Sequence, residues 1–274
     1  MIRLSAFADE ISPDLDTQIA VLREEGIHHL ELRGAWDTNV LDLSDAQVAE
    51  IGRALAAAGL RVSAIASPIG KVAIDSPEDA ELPRLARAIA VAQALGTDRI
   101  RIFSFYPAAG DESPPAREAV LTRLRALTVQ ARAAGMTLLH ENEKDIYGDS
   151  IERCVDLLQS VDDPHFRAVL DPANFLQCGQ RPYPDAYAAL QPWLAYVHVK
   201  DVDRDGTHVV AGAGDADWPD LLARLRADGY DGFLSLEPHL AAAGQFQGFS
   251  GVDRFRQASQ ALQRLLRALA WEYA

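Results

Sequence analysis

Two hydrophobic patterns alternate along the whole chain. Short runs of mostly apolar residues, typical of buried β-strands, alternate with longer segments in which apolar residues recur every three or four positions. The longer segments are rich in Ala, Leu and Arg and predict amphipathic helices. The predicted strands are 2–8, 28–33, 61–66, 99–105, 136–141, 166–171, 194–199 and 232–237. The predicted helices are about 13–25, 45–58, 78–95, 115–134, 150–160, 183–190, 216–228 and 250–271.

Capping residues support these boundaries. Short polar side chains that accept a hydrogen bond from the first helical turn predict N-caps at Ser12, Ser44, Ser76 and Asp149. A glycine follows five of the predicted helices, as is common where a helix ends in the left-handed conformation. These glycines are Gly26, Gly59, Gly96, Gly135 and Gly229.

Eight strand–helix units in 274 residues predict a (β/α)₈ TIM barrel. The main alternative, a doubly wound open sheet, usually carries a glycine-rich turn after its first strand, but residues 8–13 contain no glycine. No Pro/Ser-rich linker interrupts the pattern, so residues 1–274 are expected to form a single α/β domain.

Charge and composition narrow the range of partners. The chain is 49% hydrophobic and 24% charged, which predicts a packed globular core. The 26 basic and 40 acidic residues give a net charge of −14, which disfavours nucleic acid and anionic membrane surfaces. With two cysteines, no basic leader before an apolar run and no apolar run long enough to span a membrane, a cytoplasmic location is expected. Oligomeric state stays open, with a homo-oligomer as one option.

Ionisable residues stand at the ends of four consecutive predicted strands. Glu141, Asp171, His198 and Glu237 each follow an apolar run. The carboxyl ends of barrel strands meet at one mouth, and charges placed there need partners or a metal because they lose solvation. One such residue alone is readily explained as a helix cap or an ion-pair partner. Together they predict a site for one divalent ion, with Mn²⁺ as the first choice and Mg²⁺, Co²⁺ or Zn²⁺ as alternatives.

Other polar residues near the mouth are candidates for contact with a substrate. Lys200 shares the strand parity of His198, and Glu143 lies two residues beyond Glu141. Arg33, Lys71 and Arg204 are the cations that could meet a phosphate or carboxylate, although solvated surface charge is the alternative for each. Strand alternation instead turns His140 toward the helices. Arg101 is expected to form an internal ion pair.

The chain resembles the xylose isomerase-like TIM barrels, a family of sugar phosphate isomerases and epimerases that includes ketose 3-epimerases, hydroxypyruvate isomerases and inosose dehydratases. The resemblance covers nearly the whole chain. It rests on His140-Glu141-Asn142, Leu170-Asp171-Pro172-Ala173-Asn174 and Val197-His198-Val199-Lys200-Asp201, together with segments 7–12, 212–218 and 229–238. It implies metal ligation by Glu141, Asp171, His198 and Glu237, and it adds Arg204 to the substrate site. Asn174 stands where epimerases commonly carry a histidine, and asparagine cannot shuttle a proton.

These observations predict a metal-dependent isomerase or epimerase acting on a small sugar, with or without a phosphate. Proton removal beside a carbonyl would give a metal-stabilised enediolate, with Glu141 and Glu237 as the base and the acid. A lyase that dehydrates an inosose or a 3-keto sugar is the runner-up, followed by a non-catalytic sugar-binding barrel. An apurinic-site endonuclease is disfavoured, because seven histidines and a net charge of −14 suit neither a trinuclear zinc site nor DNA.

Overall fold

Eight parallel strands form one sheet that closes almost completely into a barrel. The computed structural model describes residues 1–111, 113–241 and 248–274. The barrel strands are β1 (Arg3–Ala6), β2 (His29–Leu32), β3 (Arg61–Ala66), β4 (Arg99–Ile102), β5 (Thr137–Glu141), β6 (Phe166–Leu170), β7 (Leu194–Val199) and β8 (Phe233–Leu236). Each strand pairs with its sequence neighbour and β8 pairs with β1, whereas β1 and β2 are joined by one bridge, between Phe7 and Glu31. The predicted (β/α)₈ fold is confirmed.

Helices follow the strands and form the outer layer. They are α1 (Leu15–Glu24), α2 (Asp45–Ala58), α3 (Glu81–Leu95), α4 (Arg117–Ala133), α5 (Ile151–Val161), α6 (Pro172–Gln177), α7 (Tyr187–Leu190), α8 (Trp218–Ala227) and α9 (Val252–Ala268). The short helix α6 is absent from the prediction, and it begins where Asp171 accepts a 2.9 Å hydrogen bond from the Asn174 amide. In the described part of the chain, none of the helices is both long and apolar enough to cross a membrane.

The predicted helix caps have mixed outcomes. Ser44 caps α2 in a reciprocal capping box with Gln47, as predicted, and Gly59 and Gly96 end their helices in the left-handed conformation. The N-caps predicted at Ser12, Ser76 and Asp149 are wrong. Asp14 and Ser150 cap α1 and α5 instead. At α1 and α5 an oxygen acceptor one or two residues further along the chain takes the capping position, whereas α3 begins at Glu81 with no side-chain cap.

Two layers of apolar packing surround the strands. One cluster fills the space between strands and helices, and a smaller cluster fills the barrel interior with Leu139, Val169, Tyr196 and Phe233 among its members. His140 lies 5.9 Å from the ring of Phe166, which belongs to the outer cluster. The predicted outward orientation of His140 is therefore confirmed. By the same alternation, the next residue, Glu141, faces the barrel axis.

Candidate active site

The four predicted metal ligands meet at the carboxyl ends of the strands. Glu141 ends β5, Asp171 follows β6, His198 lies within β7 and Glu237 follows β8. One ligand atom from each lies within 4.8 Å of the others, and all four side chains are buried. This ligand cluster therefore has both the convergence and the donor types that a divalent ion requires.

A buried carboxylate orients the histidine of the cluster. His198 Nδ1 faces the other ligands, at 3.2 Å from Glu141 Oε1 and 3.5 Å from Glu237 Oε2. Its other ring nitrogen, Nε2, lies 3.3 Å from the fully buried Glu31 carboxylate on β2. A carboxylate behind a ligating histidine fixes the tautomer and raises the basicity of the ligand. Sequence reasoning missed Glu31, although an acidic residue at an inward position of an apolar strand was an available signal.

Two buried atoms of the cluster have no well-oriented hydrogen bond. Within the described residues, Asp171 Oδ2 has only an ion-pair contact with Lys200, and His198 Nδ1 lies beside carboxylate oxygens, with Glu141 Oε1 at 3.2 Å. Buried polar atoms that lack a hydrogen bond are costly, and coordination of a divalent ion would satisfy both atoms. Three carboxylates and one imidazole form a donor set acceptable to Mn²⁺, Mg²⁺, Co²⁺ or Zn²⁺.

Lys200 places a positive charge inside the same cluster. Its Nζ lies 2.8 Å from Asp171 Oδ2 and 3.3 Å from Glu237 Oε2, and the side chain is almost fully buried. Burial alone would lower the pKa of Lys200, but Asp171 and Glu237 raise it well above the usual value. The ammonium group therefore shares two carboxylates with any ion that binds here.

The carboxylates differ in their affinity for protons. Burial by itself raises the pKa of Glu141, but His198 and Arg101 lower it to about 2. Burial also acts to raise the pKa of Glu237, yet Lys200 and His239 hold it well below the usual range. For Asp171 burial prevails, and its pKa rises to about 6. Glu141 and Glu237 are therefore ionised at neutral pH and available as bases.

Two arginines flank the acidic ligands. Arg101 Nη1 lies 3.0 Å from Glu141 Oε2, which confirms the predicted internal ion pair and also places Arg101 on the cavity wall. Arg33 Nε lies 2.7 Å from Asp9, and its Nη1 lies 3.5 Å from Glu237 Oε1. Arg33 Nη2 also donates to the carbonyl of Gly248. Each arginine thus orients one of the two candidate proton-transfer carboxylates.

The other predicted substrate-binding residues are only partly brought together. Asn174 donates to Glu141 Oε1 at 3.2 Å. Lys71 and Glu143 lie on the cavity wall and form a 3.0 Å ion pair with each other. Arg204 is exposed and is not among the residues lining the cavity. Gly206, Thr207 and His208 of the same turn do line the cavity, so it is the exposed position of Arg204 within the turn, which its spacing from His198 does not reveal, that keeps it off the cavity wall.

A second polar group adjoins the ligand cluster. His239 Nε2 lies 3.3 Å from Glu237 Oε1 and 3.2 Å from Glu10 Oε1. Glu10 Oε2 accepts hydrogen bonds from the His239 amide and the Ser250 hydroxyl. Glu10 and His239 stand at the ends of predicted strands but are not among the predicted metal-binding or substrate-binding residues. The structure shows that Glu10 links the end of β1 to the residues that follow β8.

The ligand cluster opens into a cavity of about 1080 Å³. Polar side chains dominate the part of its wall above the cluster, and they include Lys71, Glu143, Lys144, Gln177 and His208. A cavity of this size accommodates a small metabolite. The arrangement can therefore hold a cation at its base and a polar ligand above it.

Sequence comparison identifies the family. The sequence profile described as "Xylose isomerase-like TIM barrel" matches residues 19–268. A 3-dehydroshikimate dehydratase of Bacillus anthracis is 27% identical over 114 residues. That match spans 41% of this chain and 40% of the relative, well under half the length of either.

Solved structures share the fold over nearly the whole chain. The probable 3-DHS dehydratase of Bacillus anthracis, involved in petrobactin synthesis, has a TM-score of 0.76 at 18% identity, covering 96% of this chain and 99% of that one. An L-ribulose 3-epimerase has a TM-score of 0.74 at 16% identity, covering 98% and 96%. A xylose isomerase-like TIM barrel protein of Mycobacterium smegmatis, in complex with magnesium, has a TM-score of 0.70 at 22% identity, covering 98% and 97%. With its profile match and its barrel, the chain belongs to the xylose isomerase-like TIM barrel family.

Proposed function

We propose that this protein is a divalent-metal-dependent enzyme that moves a proton beside a carbonyl group of a small polyhydroxylated substrate, as an isomerase or epimerase. The observation that carries the proposal is the convergence of Glu141, Asp171, His198 and Glu237 within 4.8 Å at the base of a polar cavity. The four side chains would hold Mn²⁺ or a similar ion. When bound, the ion supplies positive charge that stabilises the negative charge developing on a carbonyl oxygen.

The two glutamates are the proposed proton-transfer groups. Both have a lowered pKa, so each is ionised before reaction and can accept a proton from carbon. Arg101 and Arg33 hold Glu141 and Glu237 from separate sides of the cluster. Removal by one glutamate, followed by delivery to the opposite face from the other after it has taken a proton from water, inverts a carbon centre, and the first glutamate then releases its proton to water. Return on the same face to the neighbouring carbon exchanges an aldose and a ketose.

Lys200 and Asn174 are the proposed polar contacts to substrate. Lys200 carries a buried positive charge beside Asp171 and Glu237, and it can donate hydrogen bonds to a substrate oxygen. Asn174 holds Glu141 through its side-chain amide. Because an amide does not titrate, Asn174 positions Glu141, whereas the carboxylates transfer the protons and Lys200 stays charged.

A dehydratase is the second candidate, and the relatives support it. A 3-dehydroshikimate dehydratase is similar in sequence to part of this chain. A probable 3-DHS dehydratase is also one of the structural neighbours. The first step is the same proton abstraction beside a carbonyl, followed by departure of a β-hydroxyl as water. The same carboxylates serve both reactions, so the shape of the cavity wall decides between them.

An isotope experiment distinguishes these reactions. Chelator-stripped protein, restored with Mn²⁺ or Mg²⁺, is incubated in D₂O with ketohexoses, L-ribulose, keto-inositols, 3-keto-glycosides and 3-dehydroshikimate, and products are analysed by NMR and mass spectrometry. Deuterium gain without loss of water supports the isomerase or epimerase, whereas loss of water supports the dehydratase. Glu141→Gln should abolish either activity, while Arg264→Gln, an exposed change on α9, should not. Equal turnover before and after removal of metal would refute the proposal.

A further inference from the structure

A second cavity, of about 970 Å³, lies at the opposite, amino-terminal end of the barrel strands. We call it the N-terminal cavity. Its wall comes from the first residues of several strands and from parts of α2 and α3. Among the described residues, none lines both this cavity and the active-site cavity. Interior side chains such as Leu139, Tyr196 and Phe233 fill the barrel between its two ends.

The wall of the N-terminal cavity is strongly basic. Arg3, Arg53, Arg61 and Arg99 line it, from β1, α2, β3 and β4 respectively. Asp98 is the one acidic residue among the described lining residues, and it is already paired with Arg99 at 2.8 Å. This local excess of positive charge contrasts with a chain whose net charge is −14.

Much of this positive charge is free to meet a ligand. Arg3 stacks on the ring of Phe233, with its guanidinium carbon 4.1 Å from the ring centroid, and donates to the Asp231 carbonyl. Arg53 and Arg61 form no ion pair with any carboxylate of the described residues. Guanidinium groups present paired N–H donors that match the oxygens of phosphates and carboxylates. The cavity thus combines Arg3, which is held in place by its contacts, with Arg53 and Arg61, whose charges have no carboxylate partner among the described residues.

A half-buried histidine lies in the same region of positive charge. The ring of His29 lies 5.1 Å from that of Phe233, and its Nδ1 is buried with no hydrogen-bond partner among the described residues. Burial, followed by repulsion from Arg3 and Arg61, lowers the pKa of His29 to about 4. A cation is thus disfavoured here. An oxyanion would meet the opposite potential and could accept a hydrogen bond from a ring N–H.

We propose that the N-terminal cavity binds a small phosphate-bearing molecule with at least two negative charges. Two charges match the unneutralised arginines, and the volume admits a ligand of metabolite size. The other explanation for these arginines is that they complement the negative carboxyl ends of α2 and α3. That explanation requires no ligand, so a binding measurement separates the two.

Calorimetric titration of the chelator-stripped full-length protein with inorganic pyrophosphate, at constant ionic strength, tests the proposal. Citrate in a parallel titration shows whether phosphate chemistry is preferred. The double variant Arg53→Gln/Arg61→Gln removes two exposed cations from the wall. Arg264→Gln controls for the loss of an exposed arginine outside the cavity, and Lys200→Gln tests for binding in the active-site cavity.

The site is supported if pyrophosphate binding is saturable and tighter than citrate binding. Its affinity should also fall at least tenfold in the double variant and stay within twofold of the wild type in Arg264→Gln and Lys200→Gln. Tenfold per lost charged hydrogen bond is the usual order. Absence of binding, equal affinity in the double variant, preference for citrate, or loss confined to Lys200→Gln would overturn it. A double variant that melts earlier and shows no change in anion affinity would assign the arginines to the helix ends instead.

Discussion

Glu31 provides a direct test of how the barrel prepares its metal site. Its carboxylate is fully buried and lies 3.3 Å from His198 Nε2, on the side of the ring away from the other ligands. Glu31→Gln keeps the size of the side chain and one acceptor oxygen but removes the negative charge. The amide can also turn its NH₂ group toward the ring. That orientation favours the tautomer with hydrogen on Nδ1, the nitrogen that must be free to bind metal.

The expected effect follows from this contact. Loss of an outer partner of a ligating histidine typically weakens metal binding by about 10–100-fold, or about 1.4–2.7 kcal/mol. The assay is calorimetric titration of chelator-stripped protein with Mn²⁺ at pH 7.5, with the melting temperature of metal-free protein recorded to verify folding. Complete burial of Glu31 favours the upper part of that range, because a buried charge pair is little screened by solvent.

A matched control separates this effect from the general cost of altering a buried acid. Glu81 is also buried, and it accepts a hydrogen bond from the Gly70 amide outside the ligand cluster. Glu81→Gln should leave the affinity for Mn²⁺ within twofold of the wild type. If folded Glu31→Gln also binds Mn²⁺ within twofold of the wild type, the assigned role of Glu31 is wrong.

Three further predictions concern charge, backbone and pH. Lys200→Met should tighten Mn²⁺ binding and lower the melting temperature of metal-free protein, because Asp171 and Glu237 lose the ammonium group that neutralises them. An unchanged affinity for Mn²⁺ by calorimetry would contradict this. Gly70→Ala should lower the free energy of unfolding in urea by several kcal/mol, because a Cβ would stand 2.2 Å from the Phe103 carbonyl oxygen. Gly59 has a similar φ but open space around it, so Gly59→Ala should cost about 1 kcal/mol. Equal losses of unfolding free energy would refute the steric argument. The pKa of His29 is about 4 when folded and near 6.5 when unfolded, so the unfolded state binds more protons between these values and stability should fall as pH drops from about 6.5 to 4. His29→Gln should flatten that slope in urea titrations, and an unchanged slope would count against the shifted pKa.

The position of the site was predictable because a parallel barrel gathers its strand ends. Apolar runs that end in Glu141, Asp171, His198 and Glu237 carry this information locally, and closure of the sheet then brings the residues together. The strand order and most helix bounds follow from periodicity for the same reason. Where several acceptors lie within two residues, as at Ser12 and Asp14, periodicity does not choose the cap.

What surrounds the ligands depended on packing between segments far apart in sequence. Glu31 reaches His198 from β2 across the barrel interior, and Lys200 turns into the ligand cluster. Arg204, close to His198 in sequence, is instead exposed to solvent and does not line the cavity. The sequence by itself therefore determined the fold and the convergence of ligands, because both follow from local periodicity and strand polarity. Tertiary structure alone decided which charged side chains neutralise the ligands, which ones orient them and which ones lie outside the site. The physical reason is that these interactions depend on distances and on loss of solvation between segments on different strands of the barrel.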